Sequence, residues 1–200
     1  MDPKELAKNY DNIAEHWNSP EFDRENGITQ HEIALRYSGC KGLAIDIGCG
    51  SSGRIIDLLL AKGFDVEGLD LSKNMLEMAK QRHPNILFHR VDICEWKPTK
   101  KYAFISAWDS IWHVPLRRQK SVLEKLLNSL EPGGVIVFTT GAVDQAGESC
   151  NPFLGQNLYH AVLGITAILE LLLINECVCR HLENDDWPNK HLFIIAQKNA

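Results

Sequence analysis

A glycine-rich segment, followed at a set distance by a carboxylate, is the part of the sequence best suited to chemistry. Gly48, Gly50 and Gly53 fit the spacing G-x-G-x-x-G, and Asp70 lies 20 residues beyond Gly50. Glycines let the backbone approach a ligand closely, and a helix that starts after them turns its N-terminus towards polar ligand groups. A carboxylate at this distance is placed to bind the two hydroxyls of a ribose. Together these residues predict a site for an adenosine-type cofactor, whereas the glycines alone indicate a tight turn and Asp70 alone a charge at a helix start.

The segments around these residues predict a sheet that would position them. Apolar or alternating runs predict five strands, at residues 43–48, 64–70, 85–92, 102–109 and 135–140. Helical patterns lie between them, at residues 53–62, from the capping residue 72 to just before residue 84, and at 115–130. Residues 131–134, Glu-Pro-Gly-Gly, are predicted to form a turn. Strands that alternate with helices indicate an α/β protein whose parallel sheet is covered on both faces.

The two ends of the chain carry different patterns. Residues 3–17 have the apolar spacing of an amphipathic helix, and a second helix is predicted at 28–38. Residues 141–160 are predicted to be mostly loop. The strands predicted at 177–183 and 191–198 are separated by only about seven residues, which is too few for a parallel crossover. They are therefore expected to form an antiparallel hairpin at one edge of the sheet.

Composition and charge restrict the possible partners. The 200 residues suit one domain, and a net charge of −5 argues against a surface that coats nucleic acid. The longest apolar stretch, Ala161–Ile174, indicates a packed helix that is shorter than a membrane span. The six cysteines form no C-x-x-C pair and the charged N-terminus has no signal-peptide pattern, so reduced thiols and a cytoplasmic location are expected. The spacing of His, Cys and carboxylate residues suggests no metal site.

Five short segments follow one another in a characteristic order between residues 43 and 140. They are AIDIGCGSSG, GLDLS, VDI, SAWDSIWHV, and LEPGG leading into VIVF. This series resembles class I S-adenosylmethionine-dependent methyltransferases. The resemblance implies a Rossmann-like methyltransferase fold: a doubly wound, seven-stranded sheet, mostly parallel, with an antiparallel C-terminal hairpin.

The N-terminal sequence YDNIAEHW resembles the helical lead of ubiquinone- and menaquinone-type small-molecule methyltransferases, in which such a segment covers the cofactor. The implied organisation is a single methyltransferase domain over residues 1–200, with residues 1–40 as an N-terminal helical lead or lid. Tyr10 and Trp17 would be lid residues in that case, and residues of the helix core otherwise.

The resemblance implies that S-adenosylmethionine is the cofactor and that nine residues bind it: Asp46, Gly48, Cys49, Gly50, Asp70, Leu71, Asp92, Ile93 and Trp108. Asp46 would orient the amino-acid end of the cofactor, while Gly48 and Gly50 would let the backbone run beside its methionine and ribose portions. The common loop of the family has one residue fewer before its last glycine, which leaves the role of Gly53 open.

The remaining implied roles concern the ends of the next strands. Asp70 would accept hydrogen bonds from both ribose hydroxyls, with Leu71 against the adenine. Asp92 would accept from the adenine amino group, beside the Ile93 backbone, and the Trp108 backbone would accept from the ammonium group. Asp92 could instead cap the turn after the third strand, and the Trp108 side chain could be an ordinary core aromatic.

The implied function is transfer of a methyl group to a small organic acceptor by in-line displacement. A nicotinamide-dependent oxidoreductase and a non-catalytic cofactor-binding relative stay open as alternatives. Residues 109–112, Asp-Ser-Ile-Trp, lack the Pro-Pro tetrad of nucleic-acid amino-methylating enzymes, so nucleic acid is not expected as a partner. A membrane is not expected either, because the longest apolar stretch is shorter than a membrane span. His113 and His160 are expected near the mouth of the site, but each also fits a surface residue. The sequence therefore assigns no catalytic residue and no oligomeric state.

Overall fold

The computed structural model describes residues 1–39 and 41–200, and this part of the chain forms nine strands and six α-helices. The strands are β1 (Leu43–Ile47), β2 (Asp65–Asp70), β3 (Leu87–Arg90), β4 (Tyr102–Ala107), β5 (Leu130–Gly141), β6 (Gly147–Phe153), β7 (Gln156–Val162), β8 (Cys177–Asn184) and β9 (His191–Lys198). The helices are α1 (Pro3–Ile13), α2 (Ile28–Leu35), α3 (Arg54–Ala61), α4 (Lys73–Arg82), α5 (Leu116–Asn128) and α6 (Ile165–Ile174). Short 3₁₀ helices continue α1 (Ala14–Asn18) and precede α5 (Ile111–His113).

Seven strands form one sheet in the order β3-β2-β1-β4-β5-β9-β8. The first five are parallel to their neighbours, and β9 runs antiparallel between β5 and β8. The predicted doubly wound sheet with a reversed C-terminal hairpin is therefore confirmed. Strand order reverses between β1 and β4, which in such sheets opens a crevice at the carboxyl ends of the strands.

Helices cover both faces of the sheet, so its central strands are buried on each side. Phe138 of β5 packs in a cluster with α5 and α6, while the preceding Val137 packs in another with α2 and α3. Successive residues of a strand point to opposite faces, so one apolar run supplies both cores. This explains why the strands appear in the sequence as continuous apolar runs.

The prediction of a loop at residues 141–160 is wrong. Strands β6 and β7 form a separate antiparallel hairpin there, with Gly147 opposite Val162 and Phe153 opposite Gln156. Nearly all of β6 is exposed, so it shows no alternation of apolar and polar residues that would predict a strand. The predicted apolar helix also starts later, at Ile165.

The predicted turn at residues 131–134 lies within β5 but out of register with its neighbour. Tyr102 of β4 pairs with Leu130, whereas Phe104, two residues on, pairs with Val135. The extra residues on β5 form a bulge in which Gly133 has a φ of 75°. The residues predicted to form a turn before the strand thus form a bulge inside it.

The described cysteines, Cys49, Cys94, Cys150, Cys177 and Cys179, are free thiols. Cys40, predicted to be reduced with them, lies outside the described residues. None of the described helices combines the length and the apolar character that a bilayer span requires.

The N-terminal helix α1 is fastened to the start of α4. Ser72 caps α4, as predicted, by accepting a hydrogen bond from the Met75 amide at 3.1 Å. Asp11 of α1 in turn accepts hydrogen bonds from the Ser72 hydroxyl and from the Asn74 amide. These bonds place α1 over the ends of β1 and β2, close to the glycine-rich segment.

Gly53 is required by packing between two helices. It has a φ of 71° at the start of α3, and an added Cβ would lie 2.5 Å from carbons of both Arg82 and His83. A side chain there would meet the end of α4 and a strained backbone at the same time.

We therefore expect Gly53→Ala to lower the free energy of unfolding by more than about 1 kcal/mol, measured by urea denaturation. Gly147→Ala is the matched control, because a Cβ at Gly147 meets nothing within 4 Å and its φ is not positive. The control should stay within about 0.5 kcal/mol of the unsubstituted protein. Equal unfolding midpoints for Gly53→Ala and the control would show that this packing is not required.

Candidate functional site

A cavity of about 540 Å³ lies at the carboxyl ends of β1, β2 and β4. All nine residues that the sequence predicts to bind a cofactor line it: Asp46, Gly48, Cys49, Gly50, Asp70, Leu71, Asp92, Ile93 and Trp108. Gly53, whose role the sequence left open, packs against α4 instead. The fold thus brings residues from four strand ends to one place.

The glycine-rich segment is bound to the end of β2 by its own backbone. The Gly48 and Cys49 amides donate to the Leu69 carbonyl at 2.7 and 3.1 Å. The Gly50 amide donates to Oδ2 of Asp70 at 2.9 Å. The first three N–H groups of this loop are therefore already bonded, and they hold its shape at the edge of the cavity.

Asp70 is bonded on both carboxylate oxygens and still has acceptor capacity. Its Oδ1 accepts from the Ser72 amide at 2.9 Å, while Oδ2 accepts from Gly50. Burial raises the pKa of Asp70, and the backbone bonds oppose this shift. Each carboxylate oxygen has a second lone pair, so the group can accept further hydrogen bonds from the cavity side.

Asp46 belongs to a buried chain of polar groups that extends from β1 to α2. Ser106 is hydrogen-bonded both to Asp46 and to Nε2 of His31 (3.0 Å), and Nδ1 of His31 contacts the Gly27 carbonyl at 2.6 Å. Burial lowers the pKa of His31 to about 4, so the ring is neutral and Nδ1 carries its proton. Nε2 is then an acceptor, and the single Ser106 hydrogen cannot serve both Nε2 and an ionised Asp46. Burial raises the pKa of Asp46 to about 6 and outweighs the hydrogen bond with Ser106, which acts to lower it.

Asp92 lines the cavity and also caps the turn after β3. Its Oδ1 accepts from the Cys94 amide at 2.8 Å, which is the capping role that the sequence kept as an alternative. The Ile93 carbonyl accepts from Lys125 of α5 at 2.6 Å. The turn is thus held in place from both sides, and the Asp92 carboxylate also interacts with the Cys94 thiol.

The Trp108 side chain is a core aromatic. Its indole is buried, donates to Oδ1 of Asn26 at 3.1 Å and lies against the rings of His31 and Phe193. Any role of Trp108 towards a ligand therefore falls to its backbone, as the resemblance implies.

The turn after β4 presents the Asp109 carboxylate to the cavity. Asp109 has a φ of 49°, an unusual value for a residue with a side chain, and its Oδ1 contacts Nε2 of His191 at 2.9 Å. Burial alone would lower the pKa of His191, but its bonds to Asp109 and Asp185 outweigh burial and raise the pKa to about 9. The next residue, Ser110, fits against Gly48, where an added Cβ would lie 2.3 Å from the Ser110 Cβ.

Two segments that are distant in the sequence form the roof of the cavity. Asn9 of α1 donates to the Asn157 carbonyl in the β6–β7 hairpin at 2.8 Å. Trp17 lies 5.4 Å from Tyr10 and 6.3 Å from Phe153 of the hairpin, measured between ring centroids. Tyr10 and Trp17 both line the cavity, and their action as a lid stays a prediction.

The two candidate histidines are neighbours on the far side of the cavity. The rings of His113 and His160 are 4.8 Å apart between centroids, and both line the cavity. Nδ1 of His113 contacts the Tyr159 carbonyl at 2.6 Å, and Nε2 contacts the Tyr10 hydroxyl at 2.6 Å and the Trp112 indole N–H at 3.1 Å. Burial lowers the pKa of His113 to about 4. His113 is therefore a neutral, fully bonded ring.

The cavity is lined by more carboxyl groups than cations. Four carboxyl groups line it: Asp46, Asp70, Asp92 and Asp109. Among the described lining residues, Arg54 is the one permanent cation. Its Nε donates to the Asn26 carbonyl at 2.7 Å and its Nη1 to the Ser52 hydroxyl at 2.7 Å, while its guanidinium lies over Phe22. The surroundings favour a cationic ligand over an anionic one.

Several cavity residues were missed by the sequence analysis. Asp109 is the second residue after β4, and the strand-end rule that identified Asp70 could have identified it. Arg54 and Asn26 gave no such signal, because their positions depend on how α2 and α3 pack. No group of three or more His, Cys, Asp or Glu within residues 1–39 and 41–200 is arranged to hold a metal ion.

Comparison with known proteins identifies the family. A family model described as a methyltransferase domain matches residues 32–170. The chain is 31% identical over 158 residues to the ubiquinone biosynthesis O-methyltransferase of Paracidovorax citrulli, covering 70% of this chain and 62% of that enzyme. It is 36% identical over 95 residues to the trans-aconitate 2-methyltransferase of Rhizobium etli, covering 46% of this chain and 36% of that enzyme.

A solved structure has the same fold at low identity. It is that of S-adenosylmethionine-bound CalS10, an amino pentose methyltransferase from Micromonospora echinaspora, with a TM-score of 0.67 and 14% sequence identity. The superposition covers 94% of this chain and 96% of that one. Because the family model spans most of the sheet and the whole glycine-rich segment, the chain belongs to the methyltransferase domain family.

Proposed function

We propose that this chain is an S-adenosylmethionine-dependent methyltransferase that acts on a small organic acceptor. The observation that carries this proposal is the convergence of Asp46, Asp70 and Asp92 with the glycine-rich segment on one cavity. The relatives named above are methyltransferases of small molecules, which supports the same reaction type. Since the chain matches only part of the length of those enzymes, the substrate is argued from the cavity itself.

The residues of the cavity fit the chemical groups of S-adenosylmethionine. The Asp70 carboxylate has acceptor capacity for the two ribose hydroxyls, and the lone pairs of the Asp92 carboxylate give it capacity for the adenine amino group. The cofactor carries a sulfonium and an ammonium group, which complement the carboxyl groups of Asp46 and Asp109. The Ser110 hydroxyl is enclosed without a protein partner in the described residues and provides a further polar contact on this wall.

The same residues disfavour a nicotinamide dinucleotide. A pyrophosphate is bound in such folds by free backbone N–H groups of the glycine-rich loop. Here the amides of Gly48, Cys49 and Gly50 are bonded to Leu69 and Asp70. Two phosphate charges would also lie among four carboxyl groups, so the oxidoreductase alternative is the weaker one.

Methyl transfer requires that the acceptor be aligned with the methyl group and that water be kept from the site, and it needs few catalytic side chains. The bound cofactor supplies the methyl group and a good leaving group. The protein holds the acceptor in line with that methyl group, which replaces an encounter in solution by a fixed geometry. The roof built from α1 and the β6–β7 hairpin covers part of the site, which would limit the access of water.

We expect S-adenosylmethionine and S-adenosylhomocysteine to stabilise the folded protein. A ligand that binds only the native state adds about 2.7 kcal/mol of stability at a concentration about a hundredfold above its dissociation constant. The measurement is a thermal-shift titration with either compound, and NAD is the matched control. A shift with NAD alone, or with none of the three at millimolar concentration, would contradict the proposed function.

Replacing Asp70 should weaken cofactor binding strongly. Hydrogen bonds to a charged group contribute roughly 1.5–3 kcal/mol, so we expect Asp70→Ala to weaken binding by about tenfold to a few hundredfold in calorimetry. Asp65→Ala, at the exposed start of the same strand, is the control and should bind like the unsubstituted protein. Equal affinities for Asp70→Ala and Asp65→Ala would mean that Asp70 holds the glycine-rich segment in place but does not bind the cofactor.

Cofactor binding should weaken as the pH falls through the pKa of Asp46. Burial raises that pKa to about 6, so the carboxyl group is ionised above this pH and neutral below it. A cationic ligand favours the ionised form, and its affinity therefore falls from pH 7 towards pH 5. The other charged groups that act on Asp46 are Arg54 and Asp70. Asp46→Asn should remove the part of the pH dependence centred near pH 6, whereas an unchanged profile would assign that dependence to another group.

A further inference from the structure

Helix α6 is apolar on all sides, but only one of its sides is packed. Its sequence, ITAILELLLI, contains Glu170 as the one charged residue. Ile168, Leu171 and Leu172 are buried in the core beneath the helix. A helix that is apolar all round is normally buried all round. The packed helix that the sequence predicts in this region is therefore only half covered by its own chain.

The uncovered side of α6 carries three large apolar side chains in one continuous patch. Leu173 is 78% exposed and Ile174 is 72% exposed, and Leu169 is exposed as well. Leu169 and Leu173 are four residues apart, which places them next to each other on one face of the helix. Single exposed leucines are common on protein surfaces, whereas a continuous apolar patch indicates a contact surface. We call these three residues, together with Glu170, the α6 face.

Glu170 limits what can cover the α6 face. It follows Leu169 and precedes Ile174 by four residues, so a cover over the patch also encloses its carboxylate. In the described part of the chain Glu170 has no partner of its own. The acyl chains of a membrane would enclose that carboxylate without a partner, which is unfavourable. The cover must therefore present a cation beside apolar side chains.

Helix α5, which packs beside α6 on the same face of the sheet, presents cations to solvent. Arg117 and Lys120 are both exposed on its outer side. Arg117 acts electrostatically on Tyr159 of the β6–β7 hairpin. Lys120, in contrast, has no partner among residues 1–39 and 41–200. The outer surface of the two helices thus combines an apolar patch, an unpaired carboxylate and an unpaired ammonium group.

A second copy of this chain offers what the α6 face requires. Two copies related by a two-fold axis contact each other through the same residues, so each supplies the groups that the other needs. The apolar patches then cover each other. At the same time, Glu170 of each copy can meet a cation on α5 of the other, which satisfies both charges. A surface of this composition is self-complementary.

The adjacent edge of the sheet is less suited to such a contact. β8 is the last strand of the sheet, so its outer backbone groups have no neighbouring strand. Its pairing with β9 shifts register between Cys179 and His181. A bulge of this kind interrupts the regular spacing of backbone groups that a further strand would need. The helix surface is therefore the part of this region that fits a second copy.

We propose that two copies of this chain form a dimer through the α6 face. Leu173 lies at the centre of the contact, and Glu170 of each copy pairs with Lys120 on α5 of the other. None of the described residues that line the cofactor cavity belongs to α5 or α6. The dimer therefore leaves the proposed cofactor site uncovered, and the two proposals can be tested separately.

Sedimentation equilibrium of the full chain at micromolar concentrations measures the dimer, and we expect a species with twice the mass of one chain. Leu173→Asp should raise the dissociation constant of the dimer by at least about a hundredfold, because it places a carboxylate at the apolar centre from both copies. Leu87→Asp is the matched control. It replaces another exposed leucine, on β3 at the opposite edge of the sheet, and should leave the dimer unchanged.

Charge reversal tests the pairing between the two copies. Glu170→Lys should weaken the dimer by about tenfold, because like charges then meet across the contact, and Lys120→Glu should weaken it similarly. The double variant, Glu170→Lys with Lys120→Glu, restores opposite charges and should recover most of the affinity. Both positions are exposed, so the variants are expected to fold, and their circular dichroism spectra check this.

Three results would overturn the proposal. The first is a chain that stays monomeric at every concentration; if that monomer binds phosphatidylcholine vesicles and Leu173→Asp does not, a lipid surface is the occupant instead. The second is a dimer that Leu173→Asp leaves intact, because another surface then forms the contact. The third is a double variant that stays as weak as its single variants. Loss of the dimer in Leu173→Asp, its retention in Leu87→Asp and its recovery in the double variant would support the proposal.

Discussion

The hydrogen bond from the Gly50 amide to the Asp70 carboxylate is the contact on which the site depends. With the two bonds to the Leu69 carbonyl, it joins the loop after β1 to the end of β2. The loop is thereby held open, and the Asp70 oxygens are fixed at the edge of the cavity. The same bonds occupy three of the loop amides, which a pyrophosphate could otherwise use. One set of contacts thus shapes the cavity and selects the class of ligand.

The second constraint is closure of the cavity from above. α1 alone could not cover it, because the hairpin formed by β6 and β7 supplies the other half of the roof. The halves meet through the Asn9 bond to the hairpin backbone and through the contact of Trp17 with Phe153. Asp11 fastens α1 to α4, which itself follows Asp70. The roof is therefore linked to the cofactor side of the site, and both halves are needed to limit the access of water.

The sequence predicts the sheet and the cofactor side well, because both depend on local patterns. Apolar runs mark the buried strands, and the interval between Gly50 and Asp70 marks two strand ends that must lie side by side. The acceptor side depends on contacts between distant segments: the sequence named candidates such as His113 and His160, but it missed the β6–β7 hairpin that places His160 there. β6 is exposed along its length and shows no alternation, so its pairing with β7 had no local signal. For the same reason the sequence could name His160 as a candidate, but it could not show that His113 is fully bonded.

The central claim is that the carboxylates at the ends of β2 and β3 hold the nucleoside of S-adenosylmethionine. The most direct test is a crystal structure of the chain grown with S-adenosylmethionine or S-adenosylhomocysteine. We predict electron density for the nucleoside in the cavity, with the ribose hydroxyls within hydrogen-bond distance of Asp70 and the adenine amino group beside Asp92. Density for the ligand elsewhere, or a ribose that makes no contact with Asp70, would contradict this account.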